Sequence, residues 1–235
     1  METLRGVRLG LLHAYGAAGP IMVTVTSPGP GEGKSFVVAN LALAFAEAGH
    51  RTVLVDADVR RGELHRLLGT SRKPGLTDVL QGSISAETAT QATPYAGLSF
   101  VGSGTRVRSA PELLASSALS QLLLSLRSSH DVVLVDCSPL VAGVDPLILG
   151  TATGSMLMVV RTGMTNRELI EAKLDVLDRL PIRLLGAVLN DIRPTGIYRH
   201  YSYTYTEGYE VRTEADETAA EAAPALGASR GHEAG

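Results

Sequence analysis

Residues 26–36, Thr26-Ser27-Pro28-Gly29-Pro30-Gly31-Glu32-Gly33-Lys34-Ser35-Phe36, constrain the fold more than any other stretch, because they join a strand pattern to a helix pattern. Ile21 to Thr26 (IMVTVT) is apolar and β-branched enough for a buried strand, and residues 36–48 (FVVANLALAFAEA) suit a helix ended by Gly49. The loop between them therefore lies at a helix N-terminus, where backbone N–H groups lack partners and the helix dipole favours an anion. Gly31 and Gly33 let the chain curl so that several N–H groups face one cluster of phosphate oxygens. Lys34 adds a mobile positive charge for the β- and γ-phosphates, and the Ser35 hydroxyl is a ligand for Mg²⁺. Pro28 stands where the strict Walker pattern has its first glycine, but strand, loop, Gly-Lys-Ser and helix follow in the required order.

Two further strands end in acids. Residues 51–58 (RTVLVDAD) close on Asp56 and Asp58, and residues 131–139 (DVVLVDCSP) place Asp136 after four apolar residues. Carboxylates at the C-terminal ends of strands stand where open α/β sheets bind ligands. Asp136 has the Walker B form, in which the acid serves Mg²⁺. Residues 155–160 and 184–190 complete the strands, with a helix over 166–180 stopped by Pro181 between them. Pro111 opens a leucine-rich helix to Arg127; 75–80 reads as a helical turn and 98–101 as a short strand. Continuous apolar strands alternating with helices predict an α/β fold, a P-loop NTPase-type parallel sheet flanked by helices on both faces. His65 lacks a second His or Cys at metal spacing, and Cys137 reads as a small buried filler.

With 235 residues, 45% of them hydrophobic, the chain can bury one substantial core. Seven of its 24 acidic residues but only two of its 21 basic ones fall in residues 207–235, leaving the first 206 slightly basic. Neither part has the basic excess of a nucleic-acid-binding surface, so no nucleic-acid partner is expected. One cysteine excludes an internal disulfide framework and fits a reducing compartment. The start, METLRGVRLGLL, lacks the pattern of a signal peptide, and no 18-residue apolar run occurs, so the expectation is a cytoplasmic chain whose membrane link comes through a partner or a segment outside it.

The two ends carry different signals. Residues 2–15 place Leu4, Val7, Leu11 and Leu12 on one helical face, with Glu2, Arg5 and Arg8 recurring every three residues on another. That stripe reads first as a solvated face with local ion pairs. Residues 198–209 (YRHYSYTYTEGY) hold Tyr198, Tyr201, Tyr203, Tyr205 and Tyr209, five of the seven tyrosines, and run into a segment with the composition of a disordered acidic tail. An edge strand with one aromatic face is the structural alternative.

Together these motifs resemble the cytoplasmic catalytic domain of the bacterial tyrosine kinases of capsular and exopolysaccharide assembly: PGEGKS (30–35), VLVDAD (53–58), VVLVD (132–136) and the tyrosine cluster. Glu2-Thr3-Leu4-Arg5-Gly6-Val7-Arg8 is similar to that family's E-x-x-R-x-x-R motif, which implies that Glu2, Arg5 and Arg8 form the contacts of a ring-shaped homo-oligomer. The resemblance implies an ATP- and Mg²⁺-dependent kinase that phosphorylates Tyr198, Tyr201, Tyr203, Tyr205 and Tyr209 between subunits. Gly31, Glu32, Gly33, Lys34, Ser35 and Phe36 would bind ATP; Ser35, Asp58 and Asp136 would serve the metal; and Asp56 would accept the tyrosine proton, with Asp58 beside it. A transmembrane activator or polysaccharide co-polymerase and an opposing tyrosine phosphatase are the implied partners. Asp136 is followed by Cys-Ser-Pro where the family commonly has Thr-Pro-Pro. The expected organisation is a helical arm at 1–20, a kinase domain at 21–193, the tyrosine cluster at 194–210 and a flexible acidic tail at 211–235. The rival is an ATPase switch of the ParA/MinD type, against which Gly29 stands where those proteins carry a signature lysine.

Overall fold

Strand residues alternate between two faces, and in this chain both faces are apolar, so each central strand has to be covered twice. The computed structural model describes residues 2–16 and 19–192; the tyrosine cluster and the acidic tail lie outside the described residues. The elements are α1 (Glu2–Tyr15), β1 (Ile21–Thr26), α2 (Lys34–Glu47), β2 (Thr52–Asp56), α3 (Leu64–Leu67), α4 (Leu76–Leu80), α5 (Ala86–Ala89), β3 (Thr90–Ala92), β4 (Leu98–Val101), α6 (Ala110–Leu114), α7 (Ser117–Ser129), β5 (Val132–Asp136), α8 (Asp145–Thr153), β6 (Ser155–Arg161), α9 (Arg167–Leu177) and β7 (Arg183–Asn190), with a 3₁₀ turn at Leu140–Ala142.

The strands form one sheet in the order β3-β4-β2-β5-β1-β6-β7 among the described residues. The expected α/β sheet is present with one correction: β3 pairs antiparallel to β4, while the other pairings are parallel. On one face Val23, Val25, Leu54 and Leu134 pack with Val38, Leu41 and Phe45 of α2 and with Leu11 of α1. On the other, Val53, Val55, Val133 and Val135 pack with Leu119, Leu122, Leu123 and Leu126 of α7 and Leu149 of α8. Sequence neighbours such as Val53 and Leu54 thus serve opposite layers. Each such fully buried side chain contributes about 1.5–3 kcal/mol.

Three further readings are corrected. The helix expected from 111 to 127 is broken at Ala115-Ser116 into α6 and α7. The α2 helix begins at Lys34 rather than Phe36, so the lysine and Ser35 already belong to its first turn. The strand read over 51–58 stops at Asp56, which leaves Asp58 on the loop beyond it. The arm helix α1 packs through Leu4, Val7 and Leu12 against the α2 side, as its apolar face predicts. Arg8 Nη1 donates to the Ala44 carbonyl of α2 at 2.6 Å.

Candidate functional site

Parallel pairing puts the C-terminal ends of β1, β2 and β5 at one edge of the sheet. Val25 of β1 and Asp56 of β2 both register with Asp136 of β5. The loop after β1 and the loop after β2 therefore leave the core on either side of Asp136.

The first loop turns through Gly31 (φ +76°) and Gly33 (φ +88°), both in the left-handed region that glycine tolerates. Gly33 is the N-cap of α2, and the following first-turn N–H groups have no intrahelical acceptors. Three contacts hold the loop from outside its helix. Asn190 Nδ2 at the end of β7 donates to the Glu32 carbonyl at 2.9 Å, Arg161 Nη1 donates to the Gly31 carbonyl at 3.1 Å, and Ser27 Oγ donates to the Gly29 carbonyl at 2.7 Å. The Glu32 side chain is buried and folds back to accept the Gly29 N–H at 3.2 Å. Burial raises its pKa, opposed by hydrogen bonds from the Thr165 side chain and the Gly29 N–H.

Lys34 stands between the acids. Its Nζ lies 3.6 Å from Asp58 Oδ2 and 3.7 Å from Asp136 Oδ1, and donates to Ser35 Oγ at 3.1 Å. Ser35 Oγ donates in turn to Asp136 Oδ2 at 2.7 Å. Burial alone would lower the lysine's pKa, but Asp136 and Asp58 outweigh it and hold the ammonium above its usual range. Burial pushes Asp136 up to about 6, although Lys34 and the Ser35 hydroxyl favour its ionised form.

The two acids after β2 have different surroundings. Asp56 is fully buried, and its oxygens accept the N–H groups of Asp58 at 3.2 Å and Leu64 at 3.3 Å. Burial, and after it the nearby Asp136 charge, push Asp56 up to about 8. Asp58 instead lines an open cleft of about 830 Å³ together with Gly31, Gly33, Lys34, Ser35 and Asp136. Its Oδ1 accepts the Arg61 N–H at 2.9 Å, which fixes the start of the Arg61 side chain at the cleft. Phe36 and Glu32 also border the cleft, Phe36 with 60% of its surface exposed.

Sequence reasoning gave no role to Asn190, Ser138, Arg61 or Arg66. Ser138 follows Asp136 by two residues and lines the cleft, and its buried Oγ has no hydrogen-bond partner among the described residues. The departure from Thr-Pro-Pro after Asp136 was its one signal. Among the expected interface residues, Arg5 is exposed and Arg8 is half-buried on α2.

The donor set fits a nucleotide with Mg²⁺. Asp136 Oδ1 and Ser138 Oγ are buried without hydrogen-bond partners among the described residues, and hydroxyl and carboxylate oxygens are hard donors. No group of three or more His, Cys, Asp or Glu gathers for a metal among the described residues. Mg²⁺ binds through one or two carboxylates and shares its other positions with water and phosphate, a role that Asp136 and Ser35 could fill. The cleft volume lies within the roughly 300–1,000 Å³ of small-molecule sites. No helix among the described residues is long and apolar enough to cross a membrane.

Comparison with known proteins agrees with this geometry. Residues 23–213 match the CobQ/CobB/MinD/ParA nucleotide binding domain. The chain is 36% identical over 226 residues to EpsB of Ralstonia nicotianae, covering 92% of this chain and 30% of EpsB. It is 34% identical to the tyrosine-protein kinase YwqD of Bacillus subtilis, covering 78% of this chain and 76% of YwqD. The kinase domain of the Escherichia coli tyrosine kinase ETK superposes with a TM-score of 0.78 at 27% identity, covering 83% and 76% of the two chains. The chain thus spans less than a third of EpsB but most of YwqD. By domain match and by kinship over most of YwqD's length, the chain belongs to the CobQ/CobB/MinD/ParA nucleotide-binding domain family and, within it, to the bacterial tyrosine kinases.

Proposed function

We propose that the chain is an ATP- and Mg²⁺-dependent protein tyrosine kinase that phosphorylates the tyrosines at 198, 201, 203, 205 and 209 between subunits of a ring-shaped homo-oligomer. Its biological role in this reading is control of capsular or exopolysaccharide synthesis and export, at the membrane through a transmembrane activator and against a tyrosine phosphatase. The observation that carries the proposal is the Lys34 ammonium held between Asp58 and Asp136 at the mouth of a cleft edged by an N–H-rich loop.

The division of labour follows from which groups reach the cleft. Gly31 to Ser35 offer backbone N–H groups to phosphate, and the Lys34 side chain can turn from the acids to the β- and γ-phosphates. Ser35 and Asp136, with Asp58 alongside, would hold Mg²⁺. That ion, when bound, neutralises charge on the transferring phosphoryl group. Phosphoryl transfer needs positioning more than covalent help, so the tyrosine hydroxyl requires an orienting acceptor. Asp58 lines the cleft, whereas Asp56 is turned to the Asp58 and Leu64 N–H groups. We therefore assign the hydroxyl to Asp58 and give Asp56 the task of shaping the loop that carries it.

Incubation of the full chain with Mg-ATP, followed by mass spectrometry of its C-terminal peptides, tests the proposal. The expected result is phosphotyrosine that disappears in Lys34→Met. ATP hydrolysis without phosphotyrosine would overturn it in favour of the ParA/MinD-type switch.

A further inference from the structure

Beside the acid cluster, the cleft has a second wall with a different chemistry. Its lining includes Arg61 and Arg66 from the segment after β2 and the apolar side chains of Phe36, Leu67 and Val141. These apolar groups are 60%, 57% and 46% exposed. Their neighbour Arg60 is occupied: its Nε donates at 2.8 Å to the buried Asp145 of α8. Arg61 differs. Its side chain is exposed and has no ion pair or hydrogen bond among the described residues, while its backbone is fixed by Asp58 Oδ1 at 2.9 Å. Arg66 pairs with Glu63 at 3.1 Å, but both side chains are largely exposed, and such a surface pair is weak and exchangeable.

Available guanidinium groups and exposed apolar surface in one cleft suit a ligand that carries both acidic and aromatic side chains. The chain's own residues 205–210, Tyr-Thr-Glu-Gly-Tyr-Glu, carry both: Tyr205 and Tyr209 are separated by Glu207 and followed by Glu210. The charge balance points the same way, since residues 207–235 carry seven acidic residues against two arginines, while the preceding residues are slightly basic. We infer that Arg61 and Arg66, with Phe36, Leu67 and Val141, form a docking surface for residues 205–210 of a second copy of this chain, reading the glutamates that flank its tyrosines. This rests on the proposed transfer between subunits and adds the feature that selects the acceptor. The glutamates meet the arginines, the aromatic rings lie on the apolar rim, and the segment is thereby held across the entrance to the phosphate loop. Charge pairing of this kind acts on encounter and register, so its loss is read in acceptor affinity.

The test uses the full Lys34→Met chain, isotopically labelled, as acceptor, and unlabelled chain as kinase. Acceptor phosphotyrosine is followed by mass spectrometry over a range of acceptor concentrations. Arg61→Ala/Arg66→Ala kinase should show an acceptor KM raised about tenfold with kcat retained, in keeping with the loss of two exposed charge pairs. Acceptor carrying Glu207→Gln/Glu210→Gln should suffer the same loss with wild-type kinase, and combining both sets should add little further. A KM within twofold of wild type for the arginine variant, or fully additive losses, overturns the docking surface. Phosphorylation confined to the unlabelled chain's own tail overturns the second copy as occupant. If the wild type transfers no phosphate, the kinase reading fails by itself. Fluorescence anisotropy of a labelled 198–214 peptide with the full chain then decides the surface alone: a Kd raised about tenfold in the arginine variant upholds it, and an unchanged Kd refutes it.

Discussion

Replacing Gly33 by alanine strikes the loop at its tightest point. Gly33 has φ +88°, and an added Cβ would overlap the Asn190 Nδ2 that donates to the Glu32 carbonyl. Two costs follow. Holding an alanine in the left-handed region costs about 1–2 kcal/mol. Turning the Asn190 amide away gives up its hydrogen bond, about 0.5–1.5 kcal/mol. The sum is roughly 1.5–3.5 kcal/mol, which for a chain of this length lowers Tm by roughly 3–14 °C. Thermal unfolding of the full chain by circular dichroism, without nucleotide, reads this directly. Asn190→Ala separates the costs: alone it loses only the hydrogen bond, and combined with Gly33→Ala it relieves the overlap but not the backbone strain. The double variant should therefore be more stable than the two single losses predict, by on the order of 0.5–1.5 kcal/mol. A Gly33→Ala chain melting within a degree of wild type would refute the strain argument. Strict additivity would refute the collision with Asn190.

Two further outcomes follow from contacts outside the cleft. Arg8→Ala removes the charge-assisted hydrogen bond to the Ala44 carbonyl and should cost about 1.5–3 kcal/mol, with faster amide exchange across α1 in dilute samples where chains do not associate; unchanged exchange would mean that Arg8 does not fasten the arm. His65 has its pKa lowered, first by burial and then by Arg66 and Arg72, and its Nδ1 is buried without a partner among the described residues. The unfolded chain therefore takes up a proton at this site before the folded one, and stability falls as pH drops through the ordinary histidine range. Wild type should lose stability relative to His65→Gln between pH 7.5 and 5.5, and a constant Tm difference would contradict this.

The elements legible in the sequence are those whose signal is local. β1, β2 and β5 are buried on both faces, so their runs are apolar or β-branched, and the acids that end β2 and β5 stand out against those runs. Gly31 and Gly33 announce the loop for the same reason, since their backbone conformation restricts residue type. What was missed depends on distant partners. β3 is three residues of Thr-Gln-Ala with no pattern of its own, and exists because β4 offers an edge. Helix α8, DPLILGTAT, carries no clear helical pattern and holds Gly150 mid-helix; a Cβ there would meet Met156 of β6 and Ile182, so the glycine reflects close packing. The different surroundings of Asp56 and Asp58 are equally hidden. Two carboxylates one residue apart look alike in sequence; both accept backbone N–H groups of residues 58–64, and only the fold leaves Asp58 in the cleft and buries Asp56. Asn190 comes from the far end of the domain sequence and reaches the phosphate loop only through the pairing of β7 with β6.

The pairing of Asp56 and Val25 with Asp136 makes the sheet a ruler for the site. The spacing between these positions is set by the hydrogen-bond ladder of the buried strands, so the connections between strands can lengthen or shorten without changing it. A slip of β5 by one residue would have the opposite effect, carrying Asp136 about 3.3 Å along the strand and turning it to the other face. Variation is thus inexpensive at the surface and forbidden in register, and selection for a well-paired core is at the same time selection for the distance between acids.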